Sequence, residues 1–174
     1  MTSKKIRYGI LVVVVYFQVP LAAIADIQGI HLSEACNILA GMGFPTTGWI
    51  TYYDNETGCS SRQKSIGPGN PFKNQIAYYV DGNGQTVRQL RLIVSVLNPD
   101  EWETAHAEFQ KTAEFLIMKI TGKPAPESIS NAIGNGIDLV LKTDGIFIEV
   151  ARKKWTMNTD WDSRQCYEIK LVIR

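Results

Sequence analysis

The chain has 174 residues, 18 basic and 17 acidic side chains, two histidines and three cysteines, and is 45% apolar. That apolar share is enough for a packed core, whereas the near-neutral charge, with no cluster of Lys and Arg, argues against nucleic acid or an anionic membrane surface as partner. Two histidines and three scattered cysteines, with no C-x-x-C and no ligand spacing between them, argue against a metal site, and no cofactor-binding motif is present.

Residues 1–25, MTSKKIRYGILVVVVYFQVPLAAIA, read as a cleaved signal peptide. Lys4, Lys5 and Arg7 form a basic start, and the apolar run from Tyr8 to Val19 is too short to cross a bilayer as a helix. Pro20 and the Ala23-x-Ala25 pattern favour removal after Ala25 over an uncleaved anchor, with cleavage after Ala23 as the alternative. Without this leader, which has no acidic residue, 15 basic and 17 acidic groups remain, a formal −2. Residues 26–174 then form one domain with no membrane span, expected in the periplasm or secreted.

"LSEACNILAGMG" (32–43) has Leu32, Ala35, Cys36, Leu39 and Met42 at spacings of three and four, which predicts an amphipathic helix closed by glycine. "TGWITYYD" (47–54) is aromatic and β-branched and reads as a strand. Asp54, Asn55 and Gly58 are expected to make the next turn, with Cys59 starting the return strand. "NQIAYYV" (74–80) and "TVRQLRLIVSVL" (86–97) read as a hairpin joined by "DGNG" (81–84), since Gly and Asn tolerate positive φ.

The clearest element is a helix over 99–121, with Asn98 as N-cap, Pro99 at its first position, and Gly122 followed by Pro124 at its end. Trp102, Ala105, Phe109, Ala113, Leu116 and Ile120 are expected to line its buried face. A short helix over 126–136 follows. Strands at 137–142, 146–155 and 164–174 close the chain, the last with Tyr167, Ile169, Leu171 and Ile173 alternating against Cys166, Glu168 and Lys170. "NTDWDS" (158–163) reads as a turn. Helices are not interleaved with single strands, so the expected fold is α+β: a mostly antiparallel sheet of six or seven strands with the long helix packed on it and a short N-terminal helix.

In an oxidising compartment the cysteines are expected to pair. Cys36–Cys59 would pin the first helix to the sheet, and Cys59–Cys166 is the alternative. In the first case Cys166 would be left over on a half-exposed face. Glu103 and His106 have the spacing of a helical di-metal motif, but a single such pair beside a sheet reads as a solvated helix face. His31 is expected to be exposed, without an evident partner for acid–base work. No catalytic residue is assigned.

The aromatic residues are more informative. Neighbours in a strand face opposite sides of the sheet, so Tyr52 with Tyr53 and Tyr78 with Tyr79 cannot all point inward. Tyr53, Tyr79, Trp155 and Trp161, with Arg152, Lys153 and Lys154 beside them, are therefore the candidate partner-binding residues. The function this favours is a non-enzymatic exported protein that binds another protein, such as an immunity, inhibitor or envelope-adaptor protein. The alternatives are a small exported hydrolase using carboxylates such as Asp160 or Asp162, and a small-ligand carrier with an apolar cavity between helix 99–121 and the sheet.

Overall fold

A computed structural model describes residues 27–52, 56–69, 72–159 and 162–174. The expected signal peptide, Tyr53, the turn residues Asp54 and Asn55, Asp160 and Trp161 lie outside the described residues. Eight strands form one sheet in which every pairing is antiparallel: β1 (Ile50–Thr51), β2 (Glu56–Ser60), β3 (Lys64–Ile66), β4 (Asn74–Asn83), β5 (Thr86–Val96), β6 (Leu139–Thr143), β7 (Ile146–Thr159) and β8 (Asp162–Ile173). Their order is β1-β2-β4-β5-β8-β7-β6, and β3 pairs with β4 as well. Three helices join them: α1 (Leu32–Asn37), α2 (Trp102–Thr121) and α3 (Glu127–Asn135). The chain leaves the sheet after β5, passes through α2 and α3, and returns at the far edge, so that β8 closes against β5. This is the α+β architecture that the pattern predicts.

Alternation decides which face is buried. In β5, Leu90, Leu92, Val94 and Val96 are fully buried, while Arg91, Ile93 and Ser95 on the other face are only half-buried. The same holds in β8, where Tyr167, Ile169, Leu171 and Ile173 join Ile148 and Val150 of β7 in one core with the helices. Ala105, Phe109, Ala113 and Leu116 of α2 complete that core, with Ala35, Cys36 and Leu39 from the N-terminal helix region. The opposite, outer face of the sheet carries no helix among the described residues, and its half-polar side chains suit water.

Several elements differ from expectation. The helix expected over 32–43 breaks into α1 and a single 3₁₀ turn, Ala40–Met42, ended by Gly43 at φ 88°. The strand over 47–54 shrinks to two exposed residues at the sheet edge, preceded by Gly48 at φ 82°. Gly58 lies within β2 rather than in a turn, and its backbone sits so close to the Val80 carbonyl that any Cβ there would collide. The "DGNG" hairpin forms, but β4 runs on to Asn83 with a register shift at Asp81/Gly82, and Gly84 and Gln85 make the loop.

Asn98 does not cap the long helix with its side chain, and the helix begins with a 3₁₀ turn over Pro99–Glu101. The buried Asn74 organises that entry instead. Its Oδ1 accepts from the N–H groups of Leu97 (2.9 Å) and Asn98 (2.8 Å), and its Nδ2 donates to the carbonyls of Asn98 and Glu101. At the other end Gly122 closes α2 as expected, at φ 69° with its N–H on the Met118 carbonyl. The turn expected over 158–163 is largely strand, because β7 and β8 pair as far as Thr159↔Asp162. Five ladder pairs, from Trp155↔Cys166 outward, extend beyond the last β5–β8 pair, Val96↔Tyr167.

The disulfide joins Cys36 to Cys59. Cys166 is buried rather than half-exposed. The chain leaving β5 brings the Leu97 carbonyl to 3.9 Å from its Sγ.

Candidate functional site

The first turns of α2 meet β7 and β8 at one end of the core. Trp102 and His106 stand one helical turn apart, so they share a face of α2. Arg152 pairs with Ile169, and Tyr167 pairs with Lys154, which makes Arg152 and Tyr167 diagonal neighbours on the inner face of the sheet. With Pro99 and Gly134 these four residues line an open, largely apolar cleft of about 300 Å³.

His106 Nε2 and the Tyr167 hydroxyl lie 2.9 Å apart in a hydrogen bond. The imidazole stands edge-on to both aromatic neighbours, with ring centroids 5.0 Å from Trp102 and 5.7 Å from Tyr167. The Arg152 guanidinium lies over the Tyr167 ring, its Cζ 3.8 Å from the ring centre. Burial holds the His106 pKa below its ordinary value, and the Arg152 charge lowers it further. Burial also raises the Tyr167 pKa, which Arg152 partly offsets. At neutral pH the pair is therefore an uncharged imidazole bonded to an uncharged phenol, and Arg152 supplies the charge of the cleft.

Two buried polar atoms here have no hydrogen-bond partner among the described residues: His106 Nδ1 and Arg152 Nε. Among the described residues no carboxylate forms an ion pair with Arg152. Asp138 approaches it but accepts from its backbone N–H instead, at 2.8 Å. A planar cation fixed on an aromatic face with unused donors is a ready grip for an anionic, planar group.

His106 was expected on a solvated helix face, and that expectation is corrected: it is only 7% exposed, while Trp102, expected on the buried face, is 42% exposed. The spacing holds the reason. His106 falls four residues after Trp102 and three before Phe109, on the apolar side of the helix, and Tyr167 supplies the polar partner that makes burial tolerable. Glu103 is exposed. His31 is exposed as expected, and its Nδ1 caps α1 by accepting from Ser33 N–H.

Tyr79 and Trp155 both lie on the outer face of the sheet, half-buried. The structure does not bring them together: three strand spacings and six residues along β7 separate them, roughly 14 Å by 20 Å. Tyr78, by contrast, is buried in the core and donates its hydroxyl to the Ala35 carbonyl at 2.8 Å. A larger, polar basin of about 470 Å³ also opens near Tyr79, lined by Tyr52, Asp81, Gln89, Arg91 and Arg174. Two of its three arginines are paired: Arg91 Nη2 donates to Asp81 Oδ1 (2.8 Å), and Arg174 pairs with Glu149 (3.2 Å), while the third, Arg88, is exposed to water. The smaller cleft is the better candidate because its cation is half-buried and stacked on an aromatic ring, where an anion would be gripped more strongly than by a hydrated arginine. Among the described residues no group of three or more His, Cys, Asp or Glu could hold a metal ion, and no helix is long and apolar enough to cross a membrane.

The buried imidazole predicts an acid weakness. Below about pH 6.5 the unfolded chain protonates this histidine while the fold holds it neutral, so the unfolded state binds more protons and stability falls as pH falls. The urea midpoint of the protein should decline from pH 7 to pH 5, and His106→Gln should flatten that decline even if it lowers the midpoint overall. Parallel slopes for the two proteins would count against a neutral buried His106.

No protein-family model matches this chain, no curated protein matches it, and no solved structure matches it.

Proposed function

We propose that this is an exported, non-enzymatic protein that binds another protein and grips it at the Trp102–His106–Tyr167–Arg152 cleft. The observation that carries this reading is Arg152, stacked on Tyr167 with a buried, unpartnered Nε beside a 42% exposed tryptophan. Trp, Tyr and Arg are the residue types that dominate binding energy at protein interfaces, above all where they surround a desolvated pocket. Export, to the periplasm or the medium, is supported by the basic and apolar leader and by the Cys36–Cys59 bridge, which needs an oxidising compartment. A small-ligand carrier is the second reading, favoured by the position of the cleft between the long helix and the sheet.

The test is capture from the host's exported fraction with three baits: the wild type, Trp102→Ala/Arg152→Ala, and Tyr79→Ala/Trp155→Ala. Both variants are first checked for a wild-type circular dichroism spectrum. A stoichiometric protein kept by the wild type and by the second variant but lost from the first supports the cleft. Loss from the Tyr79/Trp155 variant alone moves the grip to the outer sheet face. Retention of nothing by the wild type overturns protein binding in favour of the carrier.

A further inference from the structure

We infer that the cleft binds a carboxylate on a flat apolar stem, the acid held by Arg152 and the stem lying between Trp102 and the surface over Gly134. This rests on the reading of the cleft as a binding site and names the chemistry it takes. The guanidinium fork matches a planar, two-oxygen acceptor, and partial burial makes each such bond stronger than it would be in water. The Nε is enclosed by protein, so an incoming carboxylate would meet the guanidinium at its terminal nitrogens, which make no hydrogen bond among the described residues.

The charge balance selects a monoanion. Among the described residues Arg152 is the one cation lining the cleft, because His106 is held neutral by burial and by Arg152 itself. Lys154 faces the same side of β7 two residues farther on, but it is exposed. A phosphate dianion would ask for more positive charge than these walls hold. Trp102 and Pro99 supply flat apolar surface, and Gly134 leaves open space: a Cβ built there meets nothing within 4 Å. A slab-shaped group fits such walls, and its burial would add apolar contact to the charge-assisted bond.

The arrangement supplies its own reporter. The chain has two histidines, one in the cleft and one exposed at the start of α1. A bound carboxylate offsets the Arg152 charge that lowers the His106 pKa, so binding should move the His106 titration upward.

The probes are benzoate, the uncharged benzamide, and the blocked tripeptide acetyl-Phe-Glu-Phe-amide, each titrated while the two histidine Hε1 resonances are followed. Benzoate should shift His106 saturably and bind about tenfold more tightly than benzamide, the factor expected for a charge-assisted pair. Arg152→Gln should abolish that preference. Gly134→Leu places a side chain in open space on α3, where it favours the helix, so it should keep the fold and weaken benzoate. Tighter binding by the tripeptide would point to an acidic side chain of a partner, and tighter binding by benzoate to a free organic acid; both support the inference. Equal binding of benzoate and benzamide, no effect of Arg152→Gln, or no His106 shift with any probe would overturn it. In that event a partner protein still lost from the Trp102/Arg152 bait would leave the cleft as an interface, with only the carboxylate withdrawn.

Discussion

Replacing Phe109 with alanine is expected to cost about 4 kcal/mol, toward the upper part of the range for large-to-small core changes. The ring is fully buried on the face of α2 that meets the sheet. One helical turn before it stands Ala105 and one turn after it Ala113, both fully buried. Two alanines bring the helix backbone close to the sheet, and the phenylalanine fills the space between them. Neither neighbour has a side chain that could relax into the vacated volume, so the cavity should persist, and it is the persistence that makes such a change expensive. Phe109→Leu keeps most of the volume and should cost no more than about 1.5 kcal/mol. Urea unfolding monitored by circular dichroism measures both, provided the m-value stays constant. A Phe109→Ala loss below that of the leucine variant would mean that the helix closes onto the sheet, and that the alanines do not fix its distance. With total stabilities of about 5–15 kcal/mol for domains, the alanine variant stands near the edge of folding, which makes the leucine variant the essential control.

The parts of this fold that could be read from the sequence are those set by simple periodicity. Leu90, Leu92, Val94 and Val96 alternate with less buried residues, and Ala105, Phe109, Ala113 and Leu116 repeat at helical spacing; both runs are buried as their pattern requires. Gly122 takes the left-handed conformation that its place at the end of the helix predicts. Misplaced details came from partners distant in the chain. Asn98 looks like a cap, but Asn74, 24 residues away, holds that turn. Gly58 looks like a turn residue, but β4 requires a glycine where its backbone passes Val80.

The cleft was legible only in fragments. In the sequence Trp102 has the spacing of a buried-face residue, Arg152 is a cation beside aromatic residues, and His106 lacks the second ligand pair that a helical metal site needs. What joins them is the β7–β8 register, which sets Arg152 beside Tyr167, and the crossing of α2 above them. Neither is encoded in a local window. A signal was nonetheless present: His106, Phe109 and Ala113 follow the i, i+3, i+7 spacing of the stripe that the helix buries, and a buried histidine calls for a partner.

Removing the Cys36–Cys59 bridge is expected to cost about 3 kcal/mol, the chain-entropy estimate for a closed loop of this length. The sequence separation is 23 residues and the Cα atoms stand 6.0 Å apart. The alternative pairing, Cys59 with Cys166, is closed off by the sheet itself. Cys59 faces the helices from β2, whereas Cys166 faces the other side from β8, three strand spacings away, or about 14 Å. Cys36→Ala alone should leave Cys59 and Cys166 as separate thiols, and Cys36→Ala/Cys59→Ala should unfold at lower urea. Its native spectrum should be retained, because α1 keeps other anchors: the Tyr78 hydroxyl on the Ala35 carbonyl, and the fully buried Leu39 and Phe44. Wild-type protein in dithiothreitol should match the double variant to within the cost of two buried sulfurs. A loss under about 1 kcal/mol would show that the segment from α1 to β2 stays ordered in the unfolded chain, so that the bridge constrains little. Loss of the native spectrum would instead make the bridge a condition of folding, and an oxidising environment a requirement of this sequence.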